Sequence, residues 1–165
     1  MPEMRHVENR GERMREHLYK GRGLGNWLGK WLEGHYFIDV IDDEDRQGFI
    51  KAHYIMAQYG DHYQRQEVDP ETVSEYTGLL DKNGMKIFEG DIVKSEISIG
   101  DVQFSHGMFG IEWTRAKADK SMVGSWGQLH NLRRMDDGFN EEVEIIGNVH
   151  DNPELLEANY FRRKI

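Results

Sequence analysis

Short apolar runs separated by turn residues dominate the chain from Val68 onward. Asp81-Lys82-Asn83-Gly84 separates Leu79-Leu80 from Met85 and Ile87, and because Asn83 and Gly84 accept positive φ cheaply, a hairpin loop is expected there. Glu89-Gly90-Asp91 predicts a second turn, in which Gly90 relieves the backbone and the Asp91 carboxylate accepts a nearby backbone N–H. The next segment places Val93, Ile97 and Ile99 on one face and Lys94, Glu96 and Ser98 on the other, the pattern of one half-buried antiparallel strand. Gly100-Asp101 predicts a further turn, followed by a short strand over Val102 to Phe104. Phe109, Ile111 and Trp113 alternate with Gly110 and Glu112, and Val143, Ile145 and Val149 alternate with Glu142, Glu144 and Asn148. Each set reads as a strand. Asn152-Pro153-Glu154-Leu155-Leu156 offers an N-cap, a proline in the first turn and an acidic neighbour, so a short helix is expected to close the domain. About five short strands at close spacing predict a small closed or nearly closed β-barrel.

The first part of the chain is less regular. Asn9 to Tyr19 is rich in helix formers, with Met14 and Leu18 four apart, and reads either as a short helix or as a frayed arm. Gly21, Gly23, Gly25 and Gly29 break any helix, since each costs about 1 kcal/mol in a helix interior relative to alanine. Trp27 to Val40 is aromatic and β-branched and predicts a hairpin or two strands, with Gly34 at a bend or bulge. Asp42 to Asp45 is a solvated turn, and Phe49 to Tyr59 fits a strand or a short helix equally. Pro70 marks a turn, after which a strand runs to Tyr76 or Leu79. The expected domains are therefore a β-containing region over 1–67 with a basic arm, and a barrel over 68–165.

Tyr-Thr-Gly-Leu, Asp-Lys-Asn-Gly, Glu-Gly-Asp-Ile-Val and Ile-Gly-Asn, in that order between Val68 and Glu157, resemble the YopX family of phage and prophage proteins. Upstream, Gly29-Lys30-Trp31-Leu32-Glu33-Gly34 resembles that family's Gly-x-Trp-x-x-Gly strand. The resemblance implies a mainly β protein, with a C-terminal SH3-like small barrel, a smaller N-terminal β-containing part and short terminal helices. It implies a phage or prophage setting and an accessory or host-modulating role. It supplies no reaction and no cofactor to place on these residues.

Composition narrows the classes. The 165 residues are 38% hydrophobic, enough for a packed core, and 31% charged. No apolar run approaches the roughly 20 residues that span a bilayer, so no membrane partner and a cytoplasmic location in the bacterial host are expected. With no cysteine, disulfides, thiolate metal sites and cysteine nucleophiles are excluded. A net charge of −9 repels a phosphate backbone at long range. Acid is concentrated between Asp39 and Glu75, while the segment up to Lys30 and the stretch from Arg115 to Arg134 are locally basic.

The eight histidines, His6, His17, His35, His53, His62, His106, His130 and His150, form no HExxH and no i, i+4 pair, so no metal site is expected. Glu89 and Asp91 are a candidate carboxylate pair, though an aspartate in a Gly-Asp turn serves the turn. Ser105-His106 and Ser125 lack a third triad member and a Gly-x-Ser-x-Gly context. Gly21-Arg22-Gly23-Leu24-Gly25 resembles an anion nest but precedes extended sequence, and reads as a connector. Trp113, Trp126 and Tyr160 beside Arg115, Lys117, Arg133 and Arg134 combine aromatic and basic groups as single-strand binders do, and read otherwise as core aromatics with surface charges. Arg115 to Trp126 is the longest expected loop, so Arg115, Lys117, Lys120, Trp126, Arg133 and Arg134 form the candidate recognition surface, together with the Asp81 to Gly84 loop.

The expected function is thus a non-enzymatic module that binds a phage protein, a host protein or, through exposed aromatic strands of the N-terminal part, itself. A nucleic-acid-binding barrel using Arg115 to Arg134 is the alternative, and an enzyme ranks third.

Overall fold

A computed structural model describes residues 17–43, 48–116, 123–129 and 143–157. The described residues are mainly β, in two antiparallel sheets. Strands β1 (Tyr19–Arg22), β2 (Trp31–Asp43), β3 (Gly48–Tyr59), β4 (His62–Glu67), β5 (Ser74–Leu80) and β6 (Lys86–Phe88) form the first, in the order β4-β3-β2-β1-β5-β6. Strands β7 (Asp91–Lys94), β8 (Ser98–Ser105), β9 (Met108–Ala116), β10 (Ser125–Gln128) and β11 (Glu144–Asn148) form the second, in the order β10-β9-β8-β7-β11.

Several expectations hold. Phe109, Ile111 and Trp113 are buried on β9, and with Ile87, Val93, Val102, Leu129 and Val143 they build the core of the second sheet. Phe49 to Tyr59 is a strand: its β-branched and aromatic residues pair with β2 over ten register positions, an outcome its own periodicity left open. Pro70 does sit in a turn, a single 3-10 turn over Pro70–Thr72 that Asp69 caps by accepting the Glu71 N–H.

Other expectations fail for identifiable reasons. The continuous strand expected over Val93 to Ile99 is two strands, because the Ser95 hydroxyl accepts the Ser98 N–H at 2.9 Å and turns the chain. Ser98 is fully buried rather than outward-facing. Gly100-Asp101 is no turn but lies within β8, where the ladder to β9 shifts register between Ile99 and Gly100. Asn152 to Leu156 folds as a 3-10 turn over Pro153–Leu156 rather than an α-helix, and Asn152 makes no side-chain cap. Of the candidate N-terminal helix, residues 9–16 lie outside the described residues and Tyr19 already belongs to β1, paired with Gly34. Trp27 lies in a 3-10 turn rather than in a strand.

The expected closed barrel is likewise absent from the described residues. β10 and β11 are the edges of an open five-stranded sheet, and the β5–β6 hairpin, rather than bridging them, is enlisted in the other sheet through the β1–β5 pairing of Tyr19 with Glu75. β6 nevertheless serves both halves. Ile87 points into the core of the second sheet, whereas Phe88 packs with Leu18 and Tyr76 in the first. Strand β7 is buried on both faces, Val93 against the β9 core and Ile92 against Ile99 and Leu155 of the C-terminal turn.

Candidate functional site

Three features stand out in the described residues: the turn aspartates, a polar clasp between the sheets, and a projecting ribbon. Asp81 and Asp91 were expected as turn residues, and both do more. Gly84 and Gly90 have φ of +81° and +75°, the left-handed backbone that their turns require. The Asp81 carboxylate accepts the N–H groups of Asn83 at 2.8 Å and Met85 at 2.9 Å with one oxygen, closing the loop. Its other oxygen accepts the Ile145 N–H of β11 at 3.1 Å, so the loop is pinned across to the second sheet. Burial pushes this carboxyl upward, but the N–H groups of Met85, Ile145 and Asn83 outweigh burial, and its pKa lies below the ordinary carboxylate value.

Asp91, only 2% exposed, accepts the Phe88 N–H at 2.8 Å and so closes the Glu89-Gly90 turn as expected. Its other oxygen is ion-paired with Lys20 of β1. The Lys20 ammonium lies 4.9 Å from the centre of the Phe88 ring and 5.3 Å from that of Trp31. Burial raises the Asp91 pKa, against the pull of Lys20 and the Phe88 N–H. Nearby, Asp151 pairs with Arg22 and accepts the Trp31 indole N–H at 2.7 Å and the Asn148 amide at 2.8 Å. Lys20, Trp31, Phe88, Asp91 and Asn148 floor a groove of about 460 Å³ between the sheets, rimmed by Glu33, Met85 and Lys86. Every charge named in it is answered by an opposite one: Lys20 by Asp91, and Lys86 by Glu33. The groove joins the two sheets, and of the candidate carboxylate pair Asp91 is held by Lys20 and the Phe88 N–H while Glu89 accepts the Phe104 N–H at 3.4 Å.

Of the serine and histidine candidates, Ser105 ends β8, Ser125 begins β10 and only His106 lies in a turn. His106 and Gly107, with φ of 54° and 79°, form the two-residue connection between β8 and β9, and the Ser105 hydroxyl lies 2.8 Å from His106 Nδ1. No group of three or more His, Asp or Glu side chains suited to a metal converges among the described residues.

The third feature is a projecting ribbon. β1 follows β2 only as far as Gly34, and β4 follows β3 only as far as Tyr54. At His53 the carbonyl of β3 still accepts the Val68 N–H at 2.8 Å; beyond it β2 and β3 pair with each other alone among the described residues, from Asp39 opposite Ala52 to Asp43 opposite Gly48. Alternation gives this ribbon two unlike faces. On one, Phe37 stacks on Tyr54, and Arg65 of β4 lies over Tyr54 and pairs with Asp39 at 3.3 Å. The other continues the line of Leu32 and Ile55 from the core but is uncovered: Ile38 is 48%, Val40 58% and Phe49 77% exposed.

A family model described as YopX protein matches residues 28–157, most of the chain. The chain belongs to the YopX family. A solved structure, that of protein EF1440 from Enterococcus faecalis, is similar over 87% of this chain and 100% of that one, at 22% identity and a TM-score of 0.46. No curated protein matches the chain.

Within this YopX-family chain, the residues picked from sequence as a recognition surface are not brought together in the described structure. Lys117, Lys120, Arg133 and Arg134 lie outside the described residues. Arg115 falls on β9 opposite Ile99. Trp126 lies on β10 and packs flat over Gly110, where a Cβ would approach its ring to 2.3 Å. It is half-buried sheet packing, with its indole N–H buried and lacking a partner among the described residues. From sequence the ribbon is reached only as exposed aromatic strands of the N-terminal part through which the module self-associates, with Ile38, Val40 and Phe49 not singled out as the face. Its signal was the even spacing of Tyr36, Ile38 and Val40 with Phe49 beyond an acidic turn, which alternation marks as one face but does not mark as uncovered. No helix among the described residues is long and apolar enough to cross a membrane.

Proposed function

We propose that this protein is a phage or prophage accessory protein that works in the host cytoplasm as a non-enzymatic protein-interaction module, with the β2–β3 ribbon as its docking element. The observation that carries the reading is the exposed apolar face of Ile38, Val40 and Phe49 on a ribbon that, from Asp39 opposite Ala52 outward, has no sheet neighbour on either side among the described residues. A two-stranded ribbon is marginally stable in water on its own, and a second protein surface laid on that face removes apolar area from water where the fold itself does not. The polar groups at the sheet joint are paired with one another across the two sheets, which supports a structural role for them.

The test is a photo-crosslinking amino acid placed at Val40 in the tagged full chain, expressed in the bacterial host with and without phage. Crosslinking to a defined protein, resistant to nuclease and to high salt and lost when Phe49 is changed to Asp, is the expected result. Crosslinks only to nucleic acid, or a defined turnover by the purified protein, would refute the reading.

A further inference from the structure

We infer that the partner of the ribbon face is a second copy of this chain, packed face to face about a two-fold axis; this rests on the ribbon being a docking element at all. The argument begins with charge. The chain as a whole carries −9, and a strongly basic partner would be expected to dock where that charge is densest. The exposed ribbon face is different. Along it lie Ile38, Val40 and Phe49, one carboxylate, Asp42, and one ammonium, Lys51, with His53 opposite Ile38. The face is apolar and locally balanced, and it offers neither a charged protein nor nucleic acid a run of opposite charge.

Register supplies the second step. Val40 is opposite Lys51 and Asp42 opposite Phe49, so the acid lies on β2 and the base on β3, one same-face row apart. When two such faces meet about a two-fold axis along the ribbon, β2 of each copy covers β3 of the other. Asp42 of each copy then lies beside Lys51 of the second copy, twice over, with the apolar side chains between them. An isologous contact requires this kind of self-complementarity, and a patch carrying one acid and one base around an apolar centre satisfies it.

Size supplies the third. The six register pairs from Ile38 to Asp43 span about 20 Å at about 3.3 Å per residue, and two strands are about 10 Å wide. That footprint is well short of the roughly 800 Å² per partner of a standard stable interface. The dimer is therefore expected to be reversible and to dissociate on dilution.

Sedimentation velocity of the full-length wild-type protein over a concentration series tests this, with Val40→Asp, Phe49→Asp, Asp42→Lys and the double exchange Asp42→Lys/Lys51→Asp. All four positions are exposed, and circular dichroism checks that each variant is folded. Expected are a concentration-dependent wild-type dimer, a dissociation constant raised about tenfold or more by either Asp substitution, weakening by Asp42→Lys, and recovery in the double exchange. A wild-type dimer indifferent to Phe49→Asp, or a double exchange no better than Asp42→Lys alone, overturns the inference. A wild-type protein monomeric throughout also overturns it, and the crosslink at Val40 then separates the cases. Capture of a different protein there leaves the docking element standing, while no capture at all removes both readings.

Discussion

Replacing Asp81 by alanine removes one carboxylate and strands three backbone N–H groups, those of Asn83, Met85 and Ile145. A hydrogen bond to a charged acceptor contributes about 1.5–3 kcal/mol when it is lost from a buried site. The three losses are unequal, because Asn83 and Met85 are exposed and water can replace the carboxylate there, whereas the Ile145 N–H faces the joint between the sheets. Taking one full loss and two partial ones gives about 3 kcal/mol. For a chain of this length that lowers Tm by about 6–12 °C. Asp81→Asn should fall between, since its one carbonyl oxygen cannot serve both the loop and β11. The pH dependence has a definite sign. The folded-state pKa of Asp81 lies below its unfolded value, so its contribution is present above the unfolded pKa and is lost as pH falls through the folded one. Wild type and Asp81→Ala should therefore converge in acid. Thermal melts followed by tryptophan fluorescence measure the first effect, and amide exchange at Ile145 reports the local one. A melting temperature for Asp81→Ala within about 2 °C of wild type would refute the claim that this carboxylate ties the loop to β11.

Lys20→Met leaves Asp91 buried without its ion-pair partner and should cost about 3 kcal/mol by urea unfolding at neutral pH. Because the Asp91 pKa is already raised by burial, the folded state takes up its proton more readily, and the deficit should shrink as pH falls through that pKa. Asp101, directly opposite Glu112 and sharing the Gln103 amide with it at 2.8 Å, has its pKa raised by burial and by the Glu112 charge. A raised folded pKa means that ionised Asp101 costs stability above that pKa, so Asp101→Asn, which still accepts from Gln103, should melt higher than wild type in mild alkali and equally in acid. Gly110→Ala forces a methyl to within 2.3 Å of the Trp126 ring, and should displace β10 and red-shift tryptophan emission as the indole becomes solvated.

The legible part of the sequence was the part in which local rules and tertiary structure agree. Asn83-Gly84 and Gly90-Asp91 are turns because their backbone conformations demand those residues, whatever surrounds them. The β9 alternation was read correctly because one face of β9 meets the core and the other does not. The same rule failed at β7, where Asp91, Ile92 and Val93 are all buried, because β11, the C-terminal turn and the β6 hairpin cover the strand from several sides. Alternation records the faces of a strand, not what lies on them. The Lys20–Asp91 and Trp31–Asp151 contacts join residues 71 and 120 positions apart, and nothing in the local sequence pairs those partners. The closed barrel was over-read for a similar reason: strand count and spacing fit it, but β5 is recruited by β1, which sequence spacing could not reveal.

That recruitment bears on function. With β1 inserted between β2 and β5, the first sheet is anchored at one end by the Leu18, Tyr76 and Phe88 cluster and by the Lys20 and Arg22 ion pairs to the second sheet. Moving outward from this anchor, apolar cover on the inner face falls away, from Ile55 and Leu32, which are buried, to Tyr36, half-buried, and then to Ile38, Val40 and Phe49. The outer face fades less: Arg65 and the Phe37–Tyr54 stack dress its root, Ala52 is buried, and Ile50 near the tip is 37% exposed against 77% for Phe49. A ribbon that merely frayed would lose cover on both faces together. Retaining β-branched and aromatic side chains on the more exposed face adds nothing to the solubility of the monomer and supplies a template for aggregation. The partner surface we propose would account for that asymmetry, and a ribbon rooted at the sheet joint would present the face already ordered, which lowers the entropy lost on docking.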